Sequence, residues 1–288
     1  MGGRARPALP PEEEEDCPGD DDEGAVVPAM IWSLEEAEML EEVQTGASSC
    51  GATAIITVLR ALGVEVPPGA VEACVRTNQR RNQAHLPDYL LSRSVAGATH
   101  QQLLTGVSEA TEGRVIGRFF PLYPVREVRL RSWLAGWIRR GAVPVATMNL
   151  QVAPPEGEEV PDAWHHQMIF GVDTAGIYLT NPIQVEESEL VRRRLCSESV
   201  LLVRREDILT RLTGGTELSH LNHDQRWKVL NVAGQVKQMI YEMSLGDVAL
   251  TPWVTIPAAY QSGISLFTLS NSQTATDLLT ANELPLKQ

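Results

Sequence analysis

Helical and strand-like patterns occupy different halves of this chain, and that order constrains the fold more than any other feature. Ser33 and Glu36 match a capping box, and Leu34, Ala37, Leu40 and Val43 follow at spacings of three, which predicts a helix over about 34–43. Ile55, Val58, Leu59 and Leu62 fall at i, i+3, i+4 and i+7, a second helix that starts at Cys50 and stops at Gly63. Val71, Cys74 and Val75 carry a third, THQQLLTGVSEA enters a fourth at Thr99, and RLRSWLAGWIRRG is a fifth with Trp133 and Trp137 on its apolar face. RVIGRFFPLY is the one early strand. From residue 142 strands dominate: AVPVATMNL, where Pro144 suggests an edge or a strand start, then HHQMIFGVD and GIYLTNP as a hairpin turned over Asp173–Gly176. SVLLVRREDILTRL reads as a strand running into a helix, QRWKVLNVAGQVKQMIYEM as a long helical segment, and VTIPAAYQSGISLFTL as a further strand pair. No βαβ alternation and no repeat is visible, so the predicted class is α+β, with a helical part over about 31–140 and a sheet part over about 141–270. Residues 78–95 read as a surface loop and 271–288 as a weakly patterned C-terminal tail.

A chain of 288 residues, 43% hydrophobic, can bury a sizeable core. Its net charge of −13 is uneven: residues 1–24 hold nine acids against Arg4 and Arg6, a net of −7, leaving −6 for the rest. Residues 1–30 are therefore expected to be a disordered acidic tail, with partner docking as its possible use. No basic stripe stands out, which excludes general nucleic-acid binding, and no apolar run approaches the ~18–20 residues of a membrane span. The amino terminus has no apolar signal core, and Arg6 breaks the myristoylation pattern. Cys17, Cys50, Cys74 and Cys196 form no CxxC pair. Neither a structural zinc nor a disulfide framework is expected, and the chain reads as cytoplasmic with reduced thiols and no cofactor.

Chemistry concentrates in two stretches. In QTGASSCG, Cys50 stands at a helix mouth, where the macrodipole and free amides favour a thiolate. Gln44, six positions earlier, can fold back as a donor to a developing oxyanion, beside the Cys50 amide. Each also has a plainer role: a small residue at a buried helix start, and a polar residue at a helix end. In WHHQMIFGVD, His165 and His166 must point to opposite faces of a strand, so only one can serve a given site. Asn181, closing LTNP, can meet a histidine across the hairpin and fix its tautomer.

Gln44, then Cys50-Gly51, then a histidine at a strand start and Asn181 at a strand end resemble the papain-like cysteine peptidases. Counted from Gly171 and Asn181, the six- and sixteen-residue spacings of that clan select His165; His166 would give five and fifteen. Within the clan, the H-x5-G-V-D-x3-G-I-Y-L-T-N-P stretch looks like the bacteriocin-leader (double-glycine) peptidase branch, although Asn181-Pro182 stands where that branch usually has Asp-Pro. The resemblance covers roughly residues 40–215, is thin over 65–130, and lacks papain's N-S-W-G and C-W.

The resemblance implies a Cys50–His165 thiolate–imidazolium pair, oriented by Asn181, that hydrolyses a peptide bond through a thioester while Gln44 and the Cys50 amide hold the oxyanion. It implies a protein or peptide substrate. An amidase, a deamidase, a transglutaminase-like acyl transferase or a non-catalytic papain-fold binding module are the alternatives. With 49 residues ahead of Cys50, no papain-type prodomain is expected. The region after 215 is a second candidate docking element. Elsewhere, Cys74, Trp133 and Trp137 read as core, Cys196 as an ordinary thiol beside Arg192–Arg194, and His100, His220 and His223 as surface residues.

Overall fold

A computed structural model describes residues 27–154, 160, 161, 164–245 and 251–287. The chain runs β1 (Ala29–Met30), α1 (Leu34–Leu40), α2 (Cys50–Ala61), α3 (Pro68–Val75), α4 (Leu86–Val95), α5 (His100–Ala110) and β2 (Val115–Pro121). Then come α6 (Leu130–Arg139), β3 (Val143–Asn149), β4 (Trp164–Val172), β5 (Ile177–Leu179), β6 (Gln184–Glu186), α7 (Ser188–Leu195), β7 (Val200–Arg204) and α8 (Arg205–Leu209). After a 3-10 turn at Ser219–His223 follow α9 (Gln225–Val229), α10 (Val232–Leu245), β8 (Trp253–Pro257), β9 (Gly263–Leu269) and α11 (Gln273–Thr280).

This is an α+β fold. Seven strands form an antiparallel sheet in the order β2-β9-β3-β4-β5-β6, with β1 also on β4, and β7-β8 form a separate pair. Alternation along β3 and β4 sends side chains to two cores. Val145, Met168 and Phe170 meet Ile55, Val58 and Leu103 on one side; Ala146, Met148 and Ile169 meet Leu134, Val191 and Leu278 on the other. A third core lies between β7-β8 and α4, α9 and α10. Trp164 at the start of β4 and Tyr260 on the β8–β9 link belong to this third core and tie it to the main sheet.

Several expectations change. The expected capping box forms at Ser33/Glu36, and a second one, Thr99/Gln102, opens α5. Yet α1 stops at Leu40, whose carbonyl accepts from the Arg60 guanidinium. Residues 78–95 are not a loop throughout: Leu86, Tyr89, Leu90 and Arg93 are buried along one face of α4. The helical and sheet halves also interleave, since β2 pairs with β9 while α7 to α10 follow residue 187. Pro144 is the second residue of β3, ahead of the first β3–β4 pair at Val145, so its missing donor breaks no bond to β4 and β3 sits centrally.

The long helical segment divides at Asn231, which has φ +48°. β8 and β9 are not a hairpin: the link 258–262 carries the chain from the small sheet to the central one. The expected C-terminal tail holds α11, and Arg118 donates to the Leu278 and Ala281 carbonyls while Leu278 and Leu284 enter the core. The expected acidic tail lies outside the described residues up to 26, and Cys17 with it; β1 begins at Ala29. No helix among the described residues is long and apolar enough to cross a membrane.

Candidate active site

A turn closed by the Ser49 amide on the Gly46 carbonyl, 3.0 Å, delivers the chain into α2. Cys50 is the first helical residue, and twelve residues of helix place a partial positive charge at its end. Gly51 lets this end approach its neighbours: a Cβ there would lie 3.0 Å from both Ala98 Cβ and Leu103 Cδ2. Cys50 is 5% exposed, and its sulfur is approached by the backbone amides of His166 and Gly51. Burial pushes the thiol above its ordinary range; the His166 amide, the Gly51 amide and the Arg80 charge pull it back and do not prevail. Burial thus favours the protonated thiol and works against the thiolate expected from its position.

The His166 amide belongs to the peptide bond joining the two histidines, so the thiol meets the main chain of β4 there, while the described lining of the Cys50 cavity includes none of His165, Asn181 and Gln44. The two rings diverge, as strand alternation requires. His166 is fully buried and bonded at both nitrogens, Nε2 to the Ala98 carbonyl at 2.7 Å and Nδ1 to Thr147 Oγ1 at 3.0 Å. A carbonyl only accepts, so Nε2 carries the proton and Nδ1 accepts from the threonine hydroxyl. His165 is partly exposed, and its Nε2 donates to the Asn181 carbonyl at 2.7 Å. By the same reasoning its Nδ1 keeps the lone pair that a general base needs. Burial lowers the His165 pKa, against the opposing effect of the Asn181 bond, so this imidazole is neutral at neutral pH.

Asn181 meets His165 through its main chain rather than the expected side chain, and its side chain meets Gln44. The main chain of Asn181 holds His165, while its Nδ2 donates to Gln44 Oε1 at 3.2 Å. Asn181 has φ +57°, a left-handed conformation that asparagine tolerates, and this turn presents its carbonyl to β4. Gln167 Nε2 donates to the same carbonyl at 3.3 Å. Gln44 directs its own donor to the Gly46 carbonyl at 2.5 Å, so the group expected to face an oxyanion is engaged within the loop. Gln44, His165 and Asn181 thus form one hydrogen-bonded chain, and Cys50 stands against the strand that carries it.

The cavity at Cys50 has walls that the sequence reading did not include. Ala47, Ser48, Arg80, Arg93, Ala96, Trp164, Leu201 and Tyr260 line it with the cysteine. It lies where the third core meets the main sheet. Trp164 stacks on Tyr260 at 5.6 Å and donates Nε1 to the Val200 carbonyl at 2.8 Å, while the Tyr260 hydroxyl donates to the Ala96 carbonyl. A signal for Arg93 was present: Leu86, Tyr89, Leu90 and Arg93 keep helical spacing behind Pro87, a residue suited to a first turn.

The other residues singled out lie apart from this cavity. Cys74 is half-buried on α3, and Cys196 is half-buried against the core at the end of α7. His100 is half-buried: it stacks on Phe119 at 3.9 Å, and its Nδ1 is buried. His223 ends the 3-10 turn that also contains His220. No cluster of three or more potential metal ligands occurs among the described residues.

His166 makes a prediction about acid stability. Burial lowers its pKa from 6.5 to about 4. The unfolded chain therefore binds a proton below 6.5 that the folded chain refuses until about 4. Stability from this group is complete above pH 6.5 and falls by about 3 kcal/mol as pH drops toward 4. Urea unfolding between pH 7 and pH 4 checks this, and the loss should be smaller in His166→Gln.

No protein-family model matches this chain, and no curated protein matches it. Among solved structures, a presumed C39-like peptidase from Bacillus anthracis aligns with a TM-score of 0.37 and 15% identity, over 58% of this chain and 92% of that one. At that TM-score the likeness decides nothing about this chain.

Proposed function

We propose that this protein is a cysteine peptidase of papain-like arrangement, with Cys50 as nucleophile, His165 as general base and Asn181 as the residue that orients the base. The single observation that carries this reading is the convergence at one strand start. The Cys50 thiol meets the His165–His166 peptide, and His165 is held by Asn181 with Nδ1 as its lone-pair nitrogen. Because thiol and imidazole are both neutral at rest, the sulfur loses its proton to His165 as it attacks the carbonyl, rather than from a standing ion pair. His165 then protonates the leaving amine, and water, activated by the same nitrogen, hydrolyses the thioester. The Cys50 and Gly51 amides at the helix mouth are oxyanion donors in this reading, and Gln44 joins them on releasing Gly46.

We place the activity in the cytoplasm, on a protein or peptide substrate, within a domain spanning about 31–270 that β1, α11 and the C-terminal segment extend. A second reading has its own observation: the buried thiol and the turned Gln44 amide suit a papain-fold module that binds without cleaving. Amidase or acyl-transfer chemistry uses the same groups and differs in its product.

Covalent labelling separates the two readings. An epoxide or vinyl-sulfone peptide probe at about pH 7.5 is expected to modify Cys50 selectively, and His165→Ala should slow that labelling at least about tenfold while the fold persists. The acid limb of the rate should lie below 6.5, because the base stays neutral down to its lowered pKa. Labelling spread over Cys74 and Cys196 and unchanged by His165→Ala would leave only the binding module.

A further inference from the structure

Just past β5 the Thr180 amide donates to the Met168 carbonyl at 3.0 Å, and the chain then turns left-handed at Asn181. The peptide that follows Asn181 ends in the nitrogen of Pro182, which has no N–H. Its carbonyl oxygen is therefore the one polar group by which that peptide can be aimed. Two donors meet this oxygen, His165 Nε2 at 2.7 Å and Gln167 Nε2 at 3.3 Å. Both come from one face of β4, two residues apart. A carbonyl has two lone pairs, so neither donor displaces the other. Gln167 Nε2 also donates to the Thr180 carbonyl at 3.0 Å.

Gln167 is 1% exposed, and its Oε1 is buried without a hydrogen-bond partner among the described residues. Turning the amide over would set Oε1 against two carbonyl oxygens, so the donor faces them and the acceptor is left stranded. A stranded buried acceptor opposes folding. Methionine has nearly the same length and would fill the position without it. What glutamine supplies here is the pair of donated bonds.

We propose that Gln167 is a positioning residue: its amide clamps the Thr180 and Asn181 carbonyls so that Asn181 holds His165 as the Nε2–H tautomer, with the lone pair on Nδ1. The catalytic use of that tautomer rests on His165 being the general base; the clamp itself does not.

Nitrogen NMR of the imidazole rings tests the clamp without any turnover, with the His165 signals assigned by their loss in His165→Ala. In the wild type at about pH 7.5 the Nε2–H form is expected, with Nδ1 at the shift of a nitrogen that bears a lone pair. Gln167→Met should move both nitrogens toward the intermediate shifts of exchanging tautomers and lower turnover about 10- to 100-fold. Its urea midpoint should stay close to that of the wild type, because the stranded acceptor leaves together with the donor. Gln167→Glu supplies the rescue. Burial and the two facing carbonyl oxygens oppose its ionisation, so the carboxyl stays protonated above the ordinary carboxylate range and donates its O–H where the amide did. The Nε2–H form and the turnover should therefore persist on the acid side and be lost as pH rises through that raised pKa, an alkaline limb that the wild type lacks. Gln167→Glu carries the test alone if Gln167→Met does not fold. The inference is overturned if the wild-type ring is not the Nε2–H tautomer, if Gln167→Met leaves the tautomer unchanged, or if Gln167→Glu shows no dependence on pH beyond that of the wild type. The two readings fail separately. A wild type that cleaves peptides, with a tautomer that survives Gln167→Met, keeps the peptidase and removes the clamp. A tautomer that follows Gln167 in a protein without turnover keeps the clamp and removes the peptidase.

Discussion

Turnover by the His165→Ala variant should fall about 10²- to 10⁴-fold, the range for loss of a general base, with the unfolding midpoint little changed. His165 is partly exposed and bonds one loop carbonyl, so its removal leaves few groups stranded. His166→Ala should do the reverse. That ring fills a sealed space and bonds Ala98 and Thr147 at once, so truncation costs about 3 kcal/mol or more in a cavity and two unsatisfied polar atoms. Urea unfolding and peptide hydrolysis on both variants separate the two roles of neighbouring identical residues. Asn181→Gly sharpens the test. It keeps the carbonyl that holds His165 and suits the left-handed backbone, so it should cost less than about tenfold in turnover. A loss as large as that of His165→Ala would put the Asn181 side chain in the orienting role instead.

Gly97→Ala should be among the most damaging single-methyl additions in the chain. Gly97 has φ +97°, a conformation strained for any L side chain. A Cβ there would lie 1.7 Å from the Tyr260 hydroxyl oxygen and 2.9 Å from its ring, and the backbone on either side is fixed by paired bonds to Asn78. Tyr260 cannot simply swing away, because it stacks on Trp164 and bonds the Ala96 carbonyl. A cost of about 3–5 kcal/mol is expected, read as a drop in urea midpoint. If the variant folds, Tyr260 has moved out of the Cys50 cavity, and the rate of covalent labelling at Cys50 should change with it. Gly141→Ala is the control, since its φ of +88° is strained in open space, and it should cost about 1 kcal/mol.

The parts of this molecule that were legible in its sequence are those governed by short-range rules. The helix beginning at Cys50, the hairpin over Asp173 and Gly176, and the amphipathic face of α6 follow from periodicity and turn chemistry. The α+β class follows from their order. What stayed hidden depends on partners far along the chain. Nothing in VTIPAAYQSGISLFTL shows that its two strands belong to different sheets, because register with β7 and with β2 and β3 decides that. Adjacent histidines announced that one ring would be set apart from the other. Only the positions of Ala98, Thr147 and Asn181 show what each ring bonds. Gln44 was expected beside Cys50 and Asn181 beside a histidine, but which atom of each would be used is a matter of backbone φ and loop closure. Arg93 was lost because α4 was read as loop, and the cavity wall was lost with it.

The central position of β9 sets a limit on when this protein can exist. β9 lies between β2 and β3, so those two strands have no direct pairing and must wait for a segment that emerges from the ribosome more than a hundred residues after either. Until residue 269 is free, the sheet is in two pieces, Tyr260 has not reached Ala96, and the Cys50 thiol has no roof. A nascent chain therefore carries an uncovered cysteine until about two hundred further residues have been made, and Tyr260 completes its cavity only then. Non-local closure of this kind makes folding slow and late rather than progressive. A chain cut short within β9 would lose the site and the middle of the sheet together, even though every residue proposed for chemistry lies well upstream.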